Sequence, residues 1–397
     1  MSSHGIKDKV AIVGMGCTRF GELWDRSAGD LVVESTQAAL TSAGITKDSI
    51  DAYWLGTLIS GYSGMTLSTA LKIDYKPVTR VENLCASGSE AFRNACYAVA
   101  SGAYDIVMAV GVEKLKDTGY SGLARPNPAD DGTGTTLTAP ARFSMLAPAY
   151  ADKYGVARDD FKEAMTHVAW KNHYNGARNE RAQFRAEVPK EKIRNAPAVA
   201  GDLGVFDCSG VSDGSAAAII VRAEDAHRYT DKPLYVKALS FAAGPGTGPF
   251  DPTYDYTTFE EAVRSAADAY RQAGVESPED DLMMAEVHDC FTPTELVLME
   301  DLGFSARGGA WTDSLADKFS LHGTLPVNPD GGLKSFGHPI GASGLRMLYE
   351  CWLQLRGEAP RERQIAAKGL RYGLTQNLGG GPGECVSFVS IVGADVG

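Results

Sequence analysis

Asn83-Leu84-Cys85-Ala86-Ser87-Gly88 is the stretch that decides the fold, because its last three residues recur at the start of a second helical pattern far along the chain. They open a helical pattern that runs to residue 103, and they return as Ala342-Ser343-Gly344, again before a helical pattern. A strand-like run precedes each copy, residues 49–56 before the first and residues 281–288 before the second. These matched surroundings predict that one unit of strands and helices is duplicated.

Short apolar runs alternate with helical patterns along the rest of the chain. Residues 10–13 and residues 106–110 each lead into a glycine, and glycine-rich strand signals follow the two copies of the unit at residues 213–220 and 379–389. This alternation predicts an α/β layered fold. Between the halves, residues 126–198 are rich in Pro, Asn and charged residues, which indicates an insertion rather than a third sheet.

The composition is that of a globular chain. It has 397 residues, enough for two or three domains, of which 44% are hydrophobic and 22% charged. A net charge of -12 without a dense basic run disfavours binding to nucleic acid or to an anionic membrane. The seven cysteines contain no C-x-x-C pair, which indicates reduced thiols rather than a disulfide framework. With no targeting peptide and no apolar run of about 18 residues, a cytoplasmic location is expected.

Basic residues in the insertion are candidate contacts for a polyanionic ligand tail, because such insertions often cover the site between two repeats. For each of these cations, a solvated helical face is the alternative. The candidates are Lys171, Arg178, Arg181, Arg185, Lys190, Lys192 and Arg194.

Cys85 lies directly before the first helical pattern. Unpaired backbone N–H groups and the helix dipole favour a thiolate there, so Cys85 is a candidate nucleophile, with a buried structural cysteine as the alternative. His338, in Gly337-His338-Pro339, occupies the matching turn of the second half. If the halves pack about a pseudo-twofold axis, Cys85 and His338 face one crevice as nucleophile and base.

His288-Asp289-Cys290-Phe291 ends the second strand-like run and precedes a predicted helix start at Thr292. On a strand, His288 and Cys290 would share a face. Zinc is the alternative use of this pair, but two potential ligands without a matching second pair argue against it, so no metal is expected.

Two glycine patterns are compared with nucleotide-binding loops. Gly14-Met15-Gly16 follows a strand, as in a dinucleotide-binding fingerprint, but Arg19 takes the third glycine position, which leaves a nicotinamide dehydrogenase as the alternative class. Residues 379–383, Gly-Gly-Gly-Pro-Gly, lack the Lys-Ser/Thr of a P-loop. We interpret them as backbone close to a reacting group, with N–H donors for an oxyanion, or as plain turn glycines.

In this order along the chain, the motifs resemble those of the thiolase superfamily. The segment around Cys85 resembles that of the acyl-accepting nucleophile, residues 212–218 the strand that closes the first half, and residues 337–344 the histidine loop. Residues 241–250 are similar to a glycine-rich segment near the pantetheine channel. The resemblance implies that CoA thioesters are substrates and that no cofactor is needed. The candidate CoA contacts are Gly246, Gly248, Ser343, Lys192 and Arg194.

One departure from the common thiolase pattern concerns its second catalytic cysteine. Asn377 stands at that position, two residues before Gly379. The motif of residues 288–291 resembles instead the sterol-carrier-protein-2 type of thiolase, in which the cysteine of this motif transfers the proton. The resemblance therefore assigns that role to Cys290, and no appended sterol-carrier domain is expected.

The resemblance implies duplicated αβαβα layers, made of two similar halves with mixed five-stranded sheets and an inserted loop domain. The N-terminal half is expected at residues 1–121 and 199–228, the inserted domain at 122–198, and the C-terminal half at 229–397. A homodimer or a dimer of dimers is expected.

The implied activity is that of an acyl-CoA:acetyl-CoA C-acyltransferase, which works through an acyl-Cys85 intermediate in Claisen condensation or in thiolysis of 3-ketoacyl-CoA. His338 would take the Cys85 proton, and His288 and His338 would hold the enolate oxygen. The N–H groups of Cys85 and Gly379 would face the tetrahedral intermediate. The alternatives are an acyltransferase or ketosynthase that uses a non-CoA acceptor or an OB-fold partner protein, and a non-catalytic scaffold.

Overall fold

The fold is known from a computed structural model that describes residues 3–117, 138–248, 251–366, 369 and 372–396. Its strands are β1 (Val10–Cys17), β2 (Ala52–Gly56), β3 (Val78–Val81), β4 (Ile106–Glu113), β5 (Ala198–Ala200), β6 (Leu203–Gly204), β7 (Gly214–Arg222), β8 (Leu234–Ala243), β9 (Leu282–Glu286), β10 (Tyr372–Gly381) and β11 (Glu384–Gly393). Nine of them form one mixed sheet in the order β3-β2-β4-β7-β1-β8-β11-β10-β9, and β5 pairs with β6.

The helices of the described chain lie on both faces of this sheet and in the insertion. They are α1 (Ala28–Ala43), α2 (Met65–Leu71), α3 (Ser87–Ala100), α4 (Ala139–Phe143), α5 (Leu146–Tyr154), α6 (Arg158–Ala177), α7 (Lys190–Arg194), α8 (Glu260–Ala273), α9 (Pro278–Asp281), α10 (Thr292–Asp301), α11 (Ala310–Leu315), α12 (Gly332–Ser335) and α13 (Ser343–Leu355). None of these helices has the length and apolar character needed to cross a bilayer.

The strand order contains the duplication that the sequence predicts. From the β3 edge, the strands of the first half lie in the order β3-β2-β4-β7-β1, which are the third, second, fourth, fifth and first sheet strands of that half along the chain. The second half continues with β8-β11-β10-β9, which are its first, fifth, fourth and second strands. Val327 fills the remaining third place through a single parallel bridge with Ala285. The halves meet where β1 pairs with β8 over two residue pairs. The two expected five-stranded sheets are therefore joined along one edge. In the second sheet, the outermost strand, beside β9, is reduced to the single bridge at Val327.

Five layers follow from the helix contacts. α13 contacts strands of both halves, β4 and β7 as well as β9 and β10, and it packs beside α3. α1 covers β1 and β7 on the face opposite to α13. Residues of β1 that point to opposite faces of the sheet belong to two different core clusters, which shows that both faces are covered. α8 covers β8 and β11 in the same way. The order of layers is helix, sheet, helix, sheet, helix, which confirms the predicted fold class.

The repeated Ala-Ser-Gly motif packs the first turns of α3 and α13 against each other. A Cβ on Gly344 would lie 2.0 Å from the Ser89 hydroxyl oxygen, and a Cβ on Gly88 would lie 2.6 Å from the Gly341 carbonyl oxygen. Only glycine permits an approach this close. Both helix starts therefore reach one crevice, with the residues just before each helix facing each other.

Candidate active site

The side chains of Cys85, His288 and His338 meet in the crevice between α3 and α13. The Cys85 sulfur and one ring nitrogen from each histidine all lie within 4.8 Å of one another. The two rings stand edge to face, with centroids 5.4 Å apart. Cys290 is close enough for the Cys85 sulfur to contribute to its raised pKa. The crevice thus joins the predicted nucleophile, the predicted base and the His288-Cys290 motif.

Cys85 is held in a tight turn before α3. Leu84 has φ +51°, in the left-handed region that residues other than glycine rarely adopt. The Ala86 N–H bonds back to the Asn83 carbonyl, and the Ser87 N–H bonds back to the Leu84 carbonyl. Backbone strain of this kind is concentrated at functional sites. The turn holds the thiol beside the two histidines.

The surroundings of Cys85 oppose the expected thiolate at rest. Burial raises the pKa of Cys85 to about 12, although the Gly380 N–H partly opposes that rise. Burial, aided by the Arg346 cation, lowers the pKa of His338 to about 3. Loss of hydration penalises each charged form by more than one helix terminus can return. Both shifts favour a neutral thiol and a neutral imidazole at rest.

Alkylation of Cys85 by iodoacetamide is expected to accelerate about tenfold per pH unit between about pH 7 and pH 10. The thiolate is the reacting form, and its fraction grows in that proportion below a pKa of about 12. Mass spectrometry of the Cys85 peptide measures the rate. A rate that is already level above about pH 6 would mean that a thiolate and imidazolium pair exists at rest.

Ser343 orients the His338 ring. Its hydroxyl lies 3.0 Å from the Pro339 carbonyl oxygen, to which it donates, and 2.7 Å from His338 Nδ1. A hydroxyl has a single proton, so its oxygen accepts from Nδ1–H. His338 therefore presents an unprotonated Nε2 to the crevice, as a general base requires. The Ser343 hydroxyl, a candidate CoA contact by resemblance, is thus engaged within the protein.

His288 and Cys290 do not lie on a strand, as the spacing argument assumed. β9 ends two residues before His288, and the Asp289 N–H bonds back to the Val287 carbonyl at 3.0 Å. This hydrogen bond closes a turn that places both side chains near Cys85 without the alternation of a strand. α10 then begins at Thr292, as predicted.

The glycine-rich stretch is a strand end followed by a turn. Residues 379–381 belong to β10, and the chain turns into β11 at residues 382–383. A Cβ on Gly379 would lie 2.2 Å from the Asn83 carbonyl oxygen, so this glycine packs on the backbone of the Cys85 turn. The N–H group that acts on the Cys85 thiol is that of Gly380, one residue beyond the predicted donor.

Comparison with known proteins identifies the family. Residues 10–224 match the family model "Thiolase, N-terminal domain", and residues 250–390 match "Thiolase C-terminal domain-like". The chain belongs to the thiolase family. This thiolase is 38% identical to an acetyl-CoA acetyltransferase of Methanothermobacter thermautotrophicus over 391 residues. The match covers 96% of this chain and 98% of the relative. It is 30% identical to human sterol carrier protein 2, over 96% of this chain and 71% of that protein. These matches make the chain an acyltransferase enzyme.

Solved structures share the fold of this thiolase. The structure described as an Ltp2-ChsH2(DUF35) aldolase matches with a TM-score of 0.81 at 24% identity, over 98% of this chain and 99% of that one. Human mitochondrial 3-ketoacyl-CoA thiolase in complex with CoA matches with a TM-score of 0.69 at 18% identity, over the same shares. At these identities the likeness concerns the fold alone.

Most candidate contacts for a polyanionic tail are bound to other groups of the thiolase. Lys171 is buried in an ion pair with Glu295, so the expectation is not met for this residue. Four others have partners nearer the surface: Arg178 pairs with Glu187, Arg181 with Glu180, Lys190 with His167, and Arg194 with Asp159 and Glu163. Arg185 and Lys192 are exposed and form no ion pair within the described ranges.

Gly246 and Gly248, the other candidate CoA contacts, lie in the loop after β8. The Gly248 N–H donates to the Gly383 carbonyl at 3.0 Å, and a Cβ on Gly248 would lie 2.3 Å from the Gly383 Cα. This loop therefore rests on the turn between β10 and β11, three residues from Gly380.

Sequence patterns did not reveal the buried charges that brace the site. Glu113, at the end of β4, accepts hydrogen bonds from the N–H groups of Leu58 and Gly341 and so joins a loop of the first half to the His338 loop. Arg346 is fully buried and pairs with Glu286 and Asp330. The sequence did contain one signal for these pairs, namely a charged residue within an otherwise apolar pattern. A charge at such a position is expected to be buried, and a buried charge needs a partner.

Proposed function

We propose that this thiolase transfers acyl groups between CoA thioesters through a covalent acyl-Cys85 intermediate. It would condense two acyl-CoA molecules in a Claisen reaction, or cleave a 3-ketoacyl-CoA with CoA. The observation that most directly supports this proposal is that the Cys85 sulfur lies within 4.8 Å of a ring nitrogen of His288 and of His338. The same three side chains would also suit a zinc ion. The family and the acetyl-CoA acetyltransferase relative support the nucleophile.

Acylation starts from neutral partners. As the Cys85 sulfur attacks the thioester carbonyl carbon, its proton passes to Nε2 of His338. The N–H groups of Cys85 and of Gly379 or Gly380 face the oxyanion, and each such donor contributes about 3 to 4 kcal/mol where charge develops. When the tetrahedral intermediate collapses, the carbon–sulfur bond to CoA breaks and the leaving CoA sulfur takes the proton from His338.

Cys290 is the proposed proton-transfer residue of the half-reaction that forms or breaks the carbon–carbon bond. Burial raises the pKa of Cys290 well above its ordinary value, so Cys290 is a thiol at rest. In thiolysis, the Cys85 sulfur bonds to the 3-keto carbon of the substrate and its proton passes to His338. The bond from that carbon to the α-carbon then breaks, and the Cys290 thiol donates its proton to the α-carbon of the departing acetyl-CoA. When CoA attacks the acyl-Cys85 carbonyl carbon, its thiol proton restores Cys290, and the proton held by His338 restores Cys85. Condensation requires a Cys290 thiolate instead. The resting thiol is thus the form of Cys290 that the thiolytic direction uses.

The deciding experiment is thiolysis of acetoacetyl-CoA by CoA, followed through the absorbance of the acetoacetyl enolate. Formation of two acetyl-CoA per acetoacetyl-CoA consumed is expected. Acetylation of Cys85 without cleavage of acetoacetyl-CoA would point to longer acyl chains or to a non-CoA acceptor. Iodoacetamide treatment that labels Cys85 but changes no activity would favour a non-catalytic scaffold.

An OB-fold partner is proposed only for the non-CoA acceptor case. Its support is the structural neighbour described as an Ltp2-ChsH2(DUF35) aldolase. Retention of acetoacetyl-CoA thiolysis by the isolated chain would make a partner unnecessary for the main reaction.

We also propose that two copies associate through β3. This strand is the edge of the described sheet, α2 packs against it, and the side chains of Tyr62, Met65 and Tyr75 on the neighbouring segments are exposed. An open edge beside exposed apolar side chains is typical of an interface. Light scattering should give at least twice the chain mass of 42.2 kDa, and a mass of 42.2 kDa would contradict the proposal.

A further inference from the structure

We propose that Asn377 is a positioning residue that fixes the His288 ring as a hydrogen-bond donor toward the reacting atoms. Asn377 lies on β10, where the common thiolase pattern has its second cysteine. The mechanism proposed above gives it no role. The inference rests on the proposed function for its kinetic consequence, whereas its spectroscopic consequence is independent of any activity.

A buried chain of hydrogen bonds connects Ser89, Asn377 and His288. Asn377 Nδ2 lies 3.0 Å from His288 Nδ1, and Asn377 Oδ1 lies 2.9 Å from the Ser89 hydroxyl oxygen. All three side chains are at most 1% exposed. A Cβ on Gly344 would lie 2.0 Å from the Ser89 oxygen and 2.8 Å from Asn377 Oδ1, so the helix start of the second half closes the space around the amide.

The amide determines which ring nitrogen carries the proton. Burial and the neighbouring His338 lower the pKa of His288 well below its ordinary value, so the ring is neutral and has one N–H. An amide NH₂ can only donate, so Nδ1 accepts and the ring proton lies on Nε2. With Nδ1 occupied by Asn377, Nε2–H is the group that His288 offers to the crevice.

The two histidines of the crevice therefore have opposite tautomers. Ser343 keeps the proton of His338 on Nδ1 and leaves Nε2 as the base. Asn377 keeps the proton of His288 on Nε2 and makes this ring an electrophilic donor for the enolate oxygen. A reversed amide would satisfy the same neighbours, but the crevice would then contain two bases and no imidazole donor.

Asn377→Asp tests this assignment, because the carboxylate has nearly the same shape but no N–H. It accepts from His288 Nδ1, so a neutral ring loses its Nε2–H and only the imidazolium can still donate from Nε2. At about pH 8 we expect thiolysis of acetoacetyl-CoA to fall about 100-fold, mainly in kcat, a loss typical of one oxyanion donor. The rate of the variant should recover as the pH is lowered and the ring becomes protonated. Acetylation of Cys85, which uses the backbone donors, should change less than about fivefold.

The direct readout is nitrogen NMR of the protein labelled with ¹⁵N-histidine, with the His288 signals assigned through His288→Gln. Wild-type His288 should show a protonated Nε2 and a bare Nδ1, and Asn377→Asp should move the proton to Nδ1 or give the imidazolium. Gln376→Glu is the matched control for the tautomer, because Gln376 is buried beside Asn377 and its Oε1 accepts from the His288 backbone N–H at 3.3 Å rather than from the ring.

A bare Nε2 in wild-type His288 would overturn the proposal, and so would an Asn377→Asp variant with the wild-type kcat and pH profile. The wild-type spectrum decides the tautomer even if the Asp variant does not fold. If wild-type protein neither acylates Cys85 nor cleaves acetoacetyl-CoA, the proposed function fails, and the spectrum still tests the role of Asn377.

Discussion

Cys85→Ala is expected to abolish acyl-enzyme formation and to lower acetoacetyl-CoA thiolysis by a factor of about 10⁴ to 10⁶, the range seen when a catalytic nucleophile is removed. The variant keeps both histidines and the N–H donors but has no atom that can form the thioester. Mass spectrometry after incubation with acetyl-CoA measures the effect, since the wild-type protein should gain one acetyl group on the Cys85 peptide.

Cys96→Ala is the matched control for this prediction. Cys96 lies in α3, the helix that follows Cys85, and is fully buried among apolar side chains. Its removal costs packing but leaves the crevice intact, so acetylation of Cys85 should persist. An acetyl increment of wild-type size in the Cys85→Ala variant would show that another residue is the nucleophile.

Cys290→Ala separates the two half-reactions. The variant should still acetylate Cys85, because that step uses His338 as the base, but thiolysis of acetoacetyl-CoA should fall about 10² to 10⁴-fold, the usual contribution of a general acid or base. The buried Cys290 thiol has a raised pKa and is the proposed proton donor to the departing carbanion. Burst acetylation and steady-state thiolysis are measured on the same preparation.

Cys208→Ala provides the comparison for Cys290→Ala. The Cys208 backbone bridges to Phe291, next to Cys290, but its thiol is directed to the Gly204 carbonyl at 3.5 Å. This variant should retain thiolysis within a few-fold. Unchanged thiolysis in Cys290→Ala would transfer the proton-donor role to another group.

The meeting of Cys85 and His338 was predictable from the chain alone. Glycine is required in the repeated Ala-Ser-Gly motif because the two helix starts touch there. A required glycine is visible in the local sequence, so this close approach could be predicted from the motif. The duplicated strand pattern likewise predicted two similar halves, and the strand order of the sheet contains both of them. The four side chains proposed to react were named from local motifs and their resemblance to a family, without knowledge of distant contacts.

The state of those side chains was not predictable in this way. The helix start before which Cys85 lies favours a thiolate, yet burial raises the pKa of this thiol to about 12. Burial is a sum over many surrounding residues from both halves, so no short motif reports it. The turn at His288-Asp289-Cys290 and the choice of Gly380 as the donor beside Cys85 depend equally on contacts made after folding.

By itself, the sequence determined the duplicated α/β architecture, the family, and the pairing of a nucleophile with histidines across a pseudo-twofold crevice. Only the tertiary structure decided which groups the ring nitrogens of those histidines contact. Asn377 meets His288 across 89 positions of the chain and Ser89 across 288, and both contacts are sealed from water. Hydrogen bonds between groups so far apart exist only in the folded chain, and in a buried site they determine which nitrogen accepts a proton and which donates one.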